Sequence, residues 1–168
     1  VSFFCGCSIT IFWNFFDIDL YLSDRVLYPL GVVVMINLMF CGNYKVIDGM
    51  IISLLSIVKY CKKPLNIFVL TMDLQEMNEN YKPINSKHIE ILDKIIKKAN
   101  KDSQIHLIDI TKYFKEEMLN SANIKTHYTP YILVRLFSDK VEKLPDKVLY
   151  LDSDLVIYKN IEPLYNTK

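Results

Sequence analysis

With 168 residues, 51% of them hydrophobic, the chain is long enough to form one globular domain with a substantial core. Its formal net charge of +1, without a basic stripe between aromatic residues, argues against a nucleic-acid-binding protein. Its four cysteines show neither zinc-ligand spacing nor a disulfide framework, which indicates a reducing compartment, and we expect a cytoplasmic protein.

Residues 1–34 differ in composition from the rest of the chain: they contain no lysine and eight of the 21 aromatic residues. The segment lacks the basic start and cleavage site of a signal peptide, and charged residues interrupt its apolar runs before the length of a membrane span. Two interpretations remain open, an aromatic-rich interfacial or partner-binding arm, or a segment outside the natural domain because translation begins at Met35. The abrupt change in composition favours the second.

From residue 35 onward, predicted strands alternate with predicted helices. The predicted strands are Ile36–Cys41, Leu65–Asp73, Gln104–Ile110 and residues 146–152, and the predicted helices are Gly49–Cys61, residues 85–99, Tyr113–Leu119 and Pro130–Val141. This order predicts one α/β domain over residues 35–168, with a mostly parallel sheet and flanking helices.

The first predicted helix has Asp48 as a candidate N-cap and an apolar face through Ile52, Leu55, Ile57 and Val58. The second has Asn85 or Ser86 as its cap, and its apolar positions are Ile89, Leu92, Ile95, Ile96 and Ala99. Its polar face carries Lys94, Lys97, Lys98 and Lys101. Such a run is typical of a solvated face, and docking on anionic lipid, as a peripheral membrane protein, is the alternative.

Glycine-rich phosphate-binding loops are missing: the chain has four glycines and neither a GxGxxG nor a P-loop sequence. A bound diphosphate would therefore need another positive charge, for which a divalent metal is the obvious source. Asp152 and Asp154 follow the apolar run "VLYL", and in an extended chain residues i and i+2 point to the same side. Their oxygens suit Mg²⁺ or Mn²⁺, whereas the alternative is an acidic pair that opens a solvated turn.

Three stretches carry a resemblance to a known family: "LPDKVLYLDSDLVIYKNIEPLY", "HYTPYILVRLF" and "FCGNYKVIDGMIISLLSI". In this order, they resemble the DxD region, the arginine-bearing helix before it and the uridine-binding start of the fold in the family 8 glycosyltransferases, the glycogenin and lipopolysaccharide galactosyl- and glucosyltransferase group. The likeness spans about residues 35–168.

This resemblance implies a GT-A fold and the retaining transfer of a hexose from a UDP-sugar, UDP-glucose or UDP-galactose, with Mn²⁺ or Mg²⁺. It implies that Asp152 and Asp154 hold the metal, that Asp152 also contacts the ribose, that Asn43 and Tyr44 bind the uracil, and that Arg135 lies near the phosphates or the sugar. The acceptor, whether saccharide, lipid-linked or protein, stays open.

The sequence also departs from the family pattern. Cys41 and Gly42 stand where an acidic or small polar residue often precedes the Asn-Tyr pair, and no histidine follows the DxD before Lys168. We therefore expect the donor-binding front part of a transferase, truncated at its C-terminus and weakly active or inactive. His127 is a candidate for a substrate contact. The alternative function is a non-catalytic α/β module that binds a nucleotide diphosphate.

Overall fold

The computed structural model describes residues 35–118 and 129–167, together with the backbone of residues 10–13. In this part of the chain, five strands form one sheet in the order β1-β5-β2-β3-β4. The strands are β1 (Thr10–Trp13), β2 (Ile36–Cys41), β3 (Leu65–Thr71), β4 (Gln104–Asp109) and β5 (Lys147–Tyr150). Strands β2 to β5 run parallel and β1 pairs antiparallel with β5, so the mostly parallel sheet is confirmed.

The predicted segment 1–34 lies outside the described residues except for the backbone of β1. The assignment of this segment stays a prediction. His127 also lies outside the described residues.

Four helices lie close to the predicted positions: α1 (Ile47–Tyr60), α2 (Ser86–Ala99), α3 (Thr111–Met118) and a 3-10 helix, Pro130–Lys140. Two further ones were not predicted, the 3-10 helix Tyr44–Val46 and the short α4 (Glu162–Tyr165). Asn85 caps α2, because its side chain accepts a hydrogen bond from the His88 amide at 3.2 Å. Asp48 is not a cap, since α1 begins before it and Asp48 lies in the first turn. Among the described residues, no helix is long and apolar enough to cross a bilayer.

Apolar clusters cover both faces of the sheet. On one face, α1 and α2 pack on alternate residues of β2 and β3, and on the other face α3 and the 3-10 helix Pro130–Lys140 pack on the remaining ones. The predicted apolar face of α1 is partly wrong. Ile52 and Leu55 are 55% and 51% exposed, whereas Met50, Leu54 and Ile57 are fully buried.

A row of polar side chains crosses the sheet near the amino ends of its strands. His106 Nε2 donates to Asn66 Oδ1 at 3.0 Å, and Asn66 Nδ2 donates to Asn37 Oδ1 at 2.9 Å. The Asn37 amide donates in turn to the Lys147 carbonyl at 3.1 Å and to the Tyr165 hydroxyl at 2.9 Å. This row, the Asn37–Asn66–His106 ladder, joins three neighbouring strands to α4.

Candidate functional site

The carboxyl ends of the four parallel strands meet at one edge of the sheet, where open α/β sheets bind their ligands. Two connections leave this edge side by side, because β2 and β5 are neighbours. One leads from β2 into α1 and carries Asn43 and Tyr44, and the other follows β5 and carries Asp152 and Asp154. The topology therefore brings the predicted uracil-binding and metal-binding segments to one edge of the sheet.

The connection after β2 is held by β3 and the segment before α2. The Gly42 amide donates to the Leu70 carbonyl at 3.1 Å, and the buried Thr71 hydroxyl donates to the Gly42 carbonyl at 2.8 Å. The Tyr44 amide donates to the Lys82 carbonyl at 3.3 Å. These bonds give the loop a fixed backbone path at the edge of the sheet.

Asn43 uses its side-chain oxygen locally. The residue is 8% exposed, and its Oδ1 accepts from the Lys45 amide at 3.1 Å, which caps the 3-10 helix Tyr44–Val46. Tyr44 is half-buried. The cap orients Asn43, so a contact with a base would use its amide nitrogen or the backbone.

The two aspartates lie where β5 gives way to a turn. The Leu151 amide still donates to the Met39 carbonyl at 3.0 Å, and the Leu155 amide then donates to the Asp152 carbonyl at 3.4 Å. The backbone is therefore not extended through Asp154, as the sequence argument assumed. Asp152 is half-buried and Asp154 is exposed.

The turn rests against the first turn of α1 at Gly49. A Cβ atom on Gly49 would lie 2.7 Å from the Ser153 carbonyl oxygen and 3.8 Å from the Asp154 Cα. Real Cβ atoms essentially never approach a neighbour within 3.0 Å. Only glycine therefore allows this contact between α1 and the aspartate turn.

Arg135 is positioned by the 3-10 helix Pro130–Lys140. This helix buries Tyr131, Val134 and Phe137 against the sheet, and the Tyr131 hydroxyl donates to the Met72 carbonyl at 2.8 Å. Arg135 is half-buried, and its guanidinium carbon lies 5.7 Å from the centre of the Tyr150 ring. That distance is within the range of a cation–π contact.

Tyr150 links Arg135 to the first aspartate, because its hydroxyl donates a hydrogen bond to Asp152 Oδ1. Burial raises the pKa of the Tyr150 phenol, the bond to Asp152 raises it further, and Arg135 opposes both effects. The phenol therefore stays protonated as a donor at neutral pH. Tyr150 was not among the site residues predicted from the sequence, although its position two before Asp152 on an extended chain indicates that the two side chains share a face.

Cys41 ends β2 beside this group. Burial raises the pKa of its thiol, the charge of Arg135 lowers it, and that of Asp152 raises it, so the side chain is a neutral thiol near both charges. Arg135, Asp152, Tyr150 and Cys41 thus form one cluster. Asn43 and Tyr44 lie on the loop after Cys41, and Asp154 lies on the turn after Asp152.

The donor set suits a hard divalent cation in part. Two carboxylates are the protein contribution that Mg²⁺ and Mn²⁺ often take, with phosphate oxygens and water as the other ligands. Within the described residues, no group of three or more His, Cys, Asp or Glu side chains could hold a metal by itself. Asp152 and Asp154 would supply only the carboxylates that such a cation takes from a protein, and its other ligands would come from a phosphate-bearing molecule and water.

The lysines predicted for the polar face of α2 are all exposed. Lys94, Lys97 and Lys98 lie on α2, and Lys101 lies in the turn that follows it. Lys97 pairs with Asp93 at 2.9 Å. The exposure fits the solvated face expected from the sequence. Peripheral membrane association stays a prediction.

The fold has a counterpart among solved structures. It matches a crystal structure of an active-site mutant of LgtC with a TM-score of 0.59 and 18% sequence identity, over 79% of this chain and 42% of that chain. The sheet and its flanking helices thus form a GT-A-like fold, as the sequence predicted. The chain spans less than half the length of the LgtC structure.

The family model of glycosyl transferase family 8 matches residues 36–168, which is more than half of the chain. The chain therefore belongs to glycosyl transferase family 8, and the predicted family is confirmed. No curated protein matches the sequence significantly.

Proposed function

We propose that the chain is the donor-binding part of a retaining hexosyltransferase. The donor is a UDP-hexose, UDP-glucose or UDP-galactose, and the acceptor is a saccharide, a lipid-linked sugar or a protein. One observation carries the proposal: in a chain of glycosyl transferase family 8, an Asp-Ser-Asp turn leaves the carboxyl edge of the parallel sheet beside Arg135. The transfer of the hexose to the acceptor by the whole protein is likewise proposed.

Different residues of the site would bind different parts of the UDP-hexose. Asp152 and Asp154 would hold Mn²⁺ or Mg²⁺, and Asp152 would also contact the ribose. When bound, the ion acts as a Lewis acid that stabilises the departing diphosphate. Arg135 would donate to the same phosphate oxygens, since its planar guanidinium suits paired hydrogen bonds to phosphate. Asn43 and Tyr44 would bind the uracil, which agrees with the fixed loop after β2.

Thermal unfolding with Mn²⁺ and UDP tests the proposal. At a ligand concentration 100 times Kd, binding adds about 2.7 kcal/mol of stability. For a chain of this size, that corresponds to a rise in Tm of roughly 5–10 °C. Asp154→Ala should abolish the rise, because it removes one of the two carboxylates.

Asp146→Ala is the matched control. Asp146 is exposed and precedes the amino end of β5, so its loss should leave the Tm rise intact. An equal loss of the rise in both variants, or no rise in the wild type, would contradict the proposal.

The second candidate function is a nucleotide-diphosphate-binding module without catalysis. It shares the same site and differs only in turnover. Release of UDP from a UDP-hexose, measured for the full-length protein with Mn²⁺, separates the two. Saturable UDP binding without UDP release would favour the module.

A further inference from the structure

Tyr150 contacts two groups of the proposed donor site at once. It is the last residue of β5, it is 5% exposed, and its hydroxyl donates to Asp152 Oδ1. The Arg135 guanidinium lies on its ring, 5.7 Å from the centre. One side chain therefore contacts both the acidic and the basic component of the site.

The backbone around Tyr150 explains this arrangement. Pairing with β2 continues one residue past β5, because the Leu151 amide donates to the Met39 carbonyl at 3.0 Å. The chain is thus still strand-like from Tyr150 to Asp152, and side chains two apart on a strand point to the same face. Leu151 points to the other face, where it is fully buried in the cluster under α1.

We propose that Tyr150 is a positioning residue of the donor site, whose hydroxyl orients the Asp152 carboxylate and whose ring supports the Arg135 guanidinium. The inference rests on the proposed function. Its physical basis is that hydrogen-bond partners of metal-binding side chains fix their orientation, and loss of such a partner typically weakens metal affinity 10- to 100-fold. Arginine is a long, flexible side chain, so contact with a buried ring restricts the orientations that it samples.

The competing interpretation is that Tyr150 is a core residue whose hydroxyl merely satisfies its own hydrogen bond. Tyr165 provides the matched control. It is 8% exposed, and its hydroxyl is hydrogen-bonded to the Asn37 amide at 2.9 Å, at the other end of the sheet. Tyr165→Phe removes a comparable hydroxyl without touching the site.

The experiment measures UDP binding by calorimetry across a range of Mn²⁺ concentrations, for the wild type, Tyr150→Phe, Tyr150→Leu and Tyr165→Phe. Tyr150→Phe should raise the Mn²⁺ concentration for half-maximal UDP binding about tenfold. At saturating Mn²⁺, its Kd for UDP should stay within about twofold of the wild type, because the ring under Arg135 is kept. Tyr150→Leu should raise both the Mn²⁺ concentration for half-maximal UDP binding and the Kd for UDP at saturating Mn²⁺. Tyr165→Phe should change neither of these two values.

Three results would count against the inference. If Tyr150→Phe keeps the wild-type Mn²⁺ dependence while Asp154→Ala loses UDP binding, the positioning role is wrong and the proposed function stands. If Tyr165→Phe shifts the Mn²⁺ dependence as much as Tyr150→Phe, the effect is one of general stability. If the wild type shows no Mn²⁺-dependent UDP binding, the proposed function fails and the inference fails with it.

Discussion

Gly49→Ala tests the contact between α1 and the aspartate turn. The new Cβ would lie 2.7 Å from the Ser153 carbonyl oxygen and 3.3 Å from its carbon, where ordinary contact begins at 3.4 Å. The carbonyl would have to recede by about 0.7 Å for ordinary contact and by about 0.3 Å for the shortest tolerated one. Both atoms belong to the backbone, so no side-chain rotation can relieve the clash.

Two opposing contributions decide whether Gly49→Ala raises or lowers the free energy of unfolding. Replacing glycine by alanine inside a helix stabilises it by up to about 1 kcal/mol, whereas inserting a methyl group into a packed contact costs about 1–3 kcal/mol. Because the obstacle is backbone, we expect the clash to dominate. The free energy of unfolding should fall by about 1 kcal/mol. Since Asp154 follows Ser153, the Mn²⁺ dependence of UDP binding should also weaken.

Urea denaturation measures the change in the free energy of unfolding. Calorimetry with Mn²⁺ and UDP measures the change in the Mn²⁺ dependence of UDP binding. Asp48→Ala is the control, because Asp48 is the adjacent residue of the same turn and is exposed. A Gly49→Ala protein that is about 1 kcal/mol more stable than the wild type and binds UDP with unchanged Mn²⁺ dependence would refute the reasoning.

Two further predictions concern a buried hydroxyl and a half-buried thiol. Ser53 Oγ is buried without a hydrogen-bond partner in the part of the chain that the structure describes, so Ser53→Ala should raise the free energy of unfolding by about 1 kcal/mol. Ser56→Ala should lower it by a similar amount, because the Ser56 hydroxyl accepts from the Ile157 amide at 2.9 Å; equal urea midpoints for the two variants would contradict this. Burial raises the pKa of Cys41, and the thiolate is the nucleophile, so iodoacetamide at pH 8 should modify Cys41 at least about tenfold more slowly in the native chain than in urea. Peptide mass spectrometry measures both rates, and equal rates would count against a raised pKa of the Cys41 thiol in the native chain.

Four of the five strands, β2 to β5, were predicted because each is a short run rich in apolar residues, whereas no strand was predicted at β1. The run of β2, Ile36–Cys41, has the predicted bounds, and β3 and β4 differ from their predictions only at their carboxyl ends. The buried face of α1 was harder to predict, since apolar residues occupy most positions from Met50 to Val58 and no single stripe stands out. Only the packing against β2 and α2 distinguishes Leu54, which is buried, from Leu55, which is exposed.

The candidate site was predicted as separate motifs. The motifs after β2 and β5 are adjacent because of the strand order in the sheet, which the periodicity of a single sequence does not predict. β5 is the last strand along the chain and yet lies beside β2. The role of Tyr150 depends on its contact with Arg135, which lies on the 3-10 helix Pro130–Lys140. The turn after Asp152 was not predicted, because the motif was treated as an extended strand. The close approach of Gly49 to this turn was not predicted either, because it depends on how α1 packs.

The Asn37–Asn66–His106 ladder also acts on strand alignment. Sliding β2 by two residues along β3 would keep every side chain on its own face, so the apolar pattern alone barely opposes this error. The slide would nevertheless displace the end of β2 by about 6.6 Å and carry the loop of Asn43 and Tyr44 away from its partners on β3. It would also separate Asn37 from Asn66, which are directly paired in the native alignment, and leave half-buried amides without partners. Polar residues near the amino ends of the strands thus fix the alignment of the strands, and with it the position of the loops at the carboxyl ends.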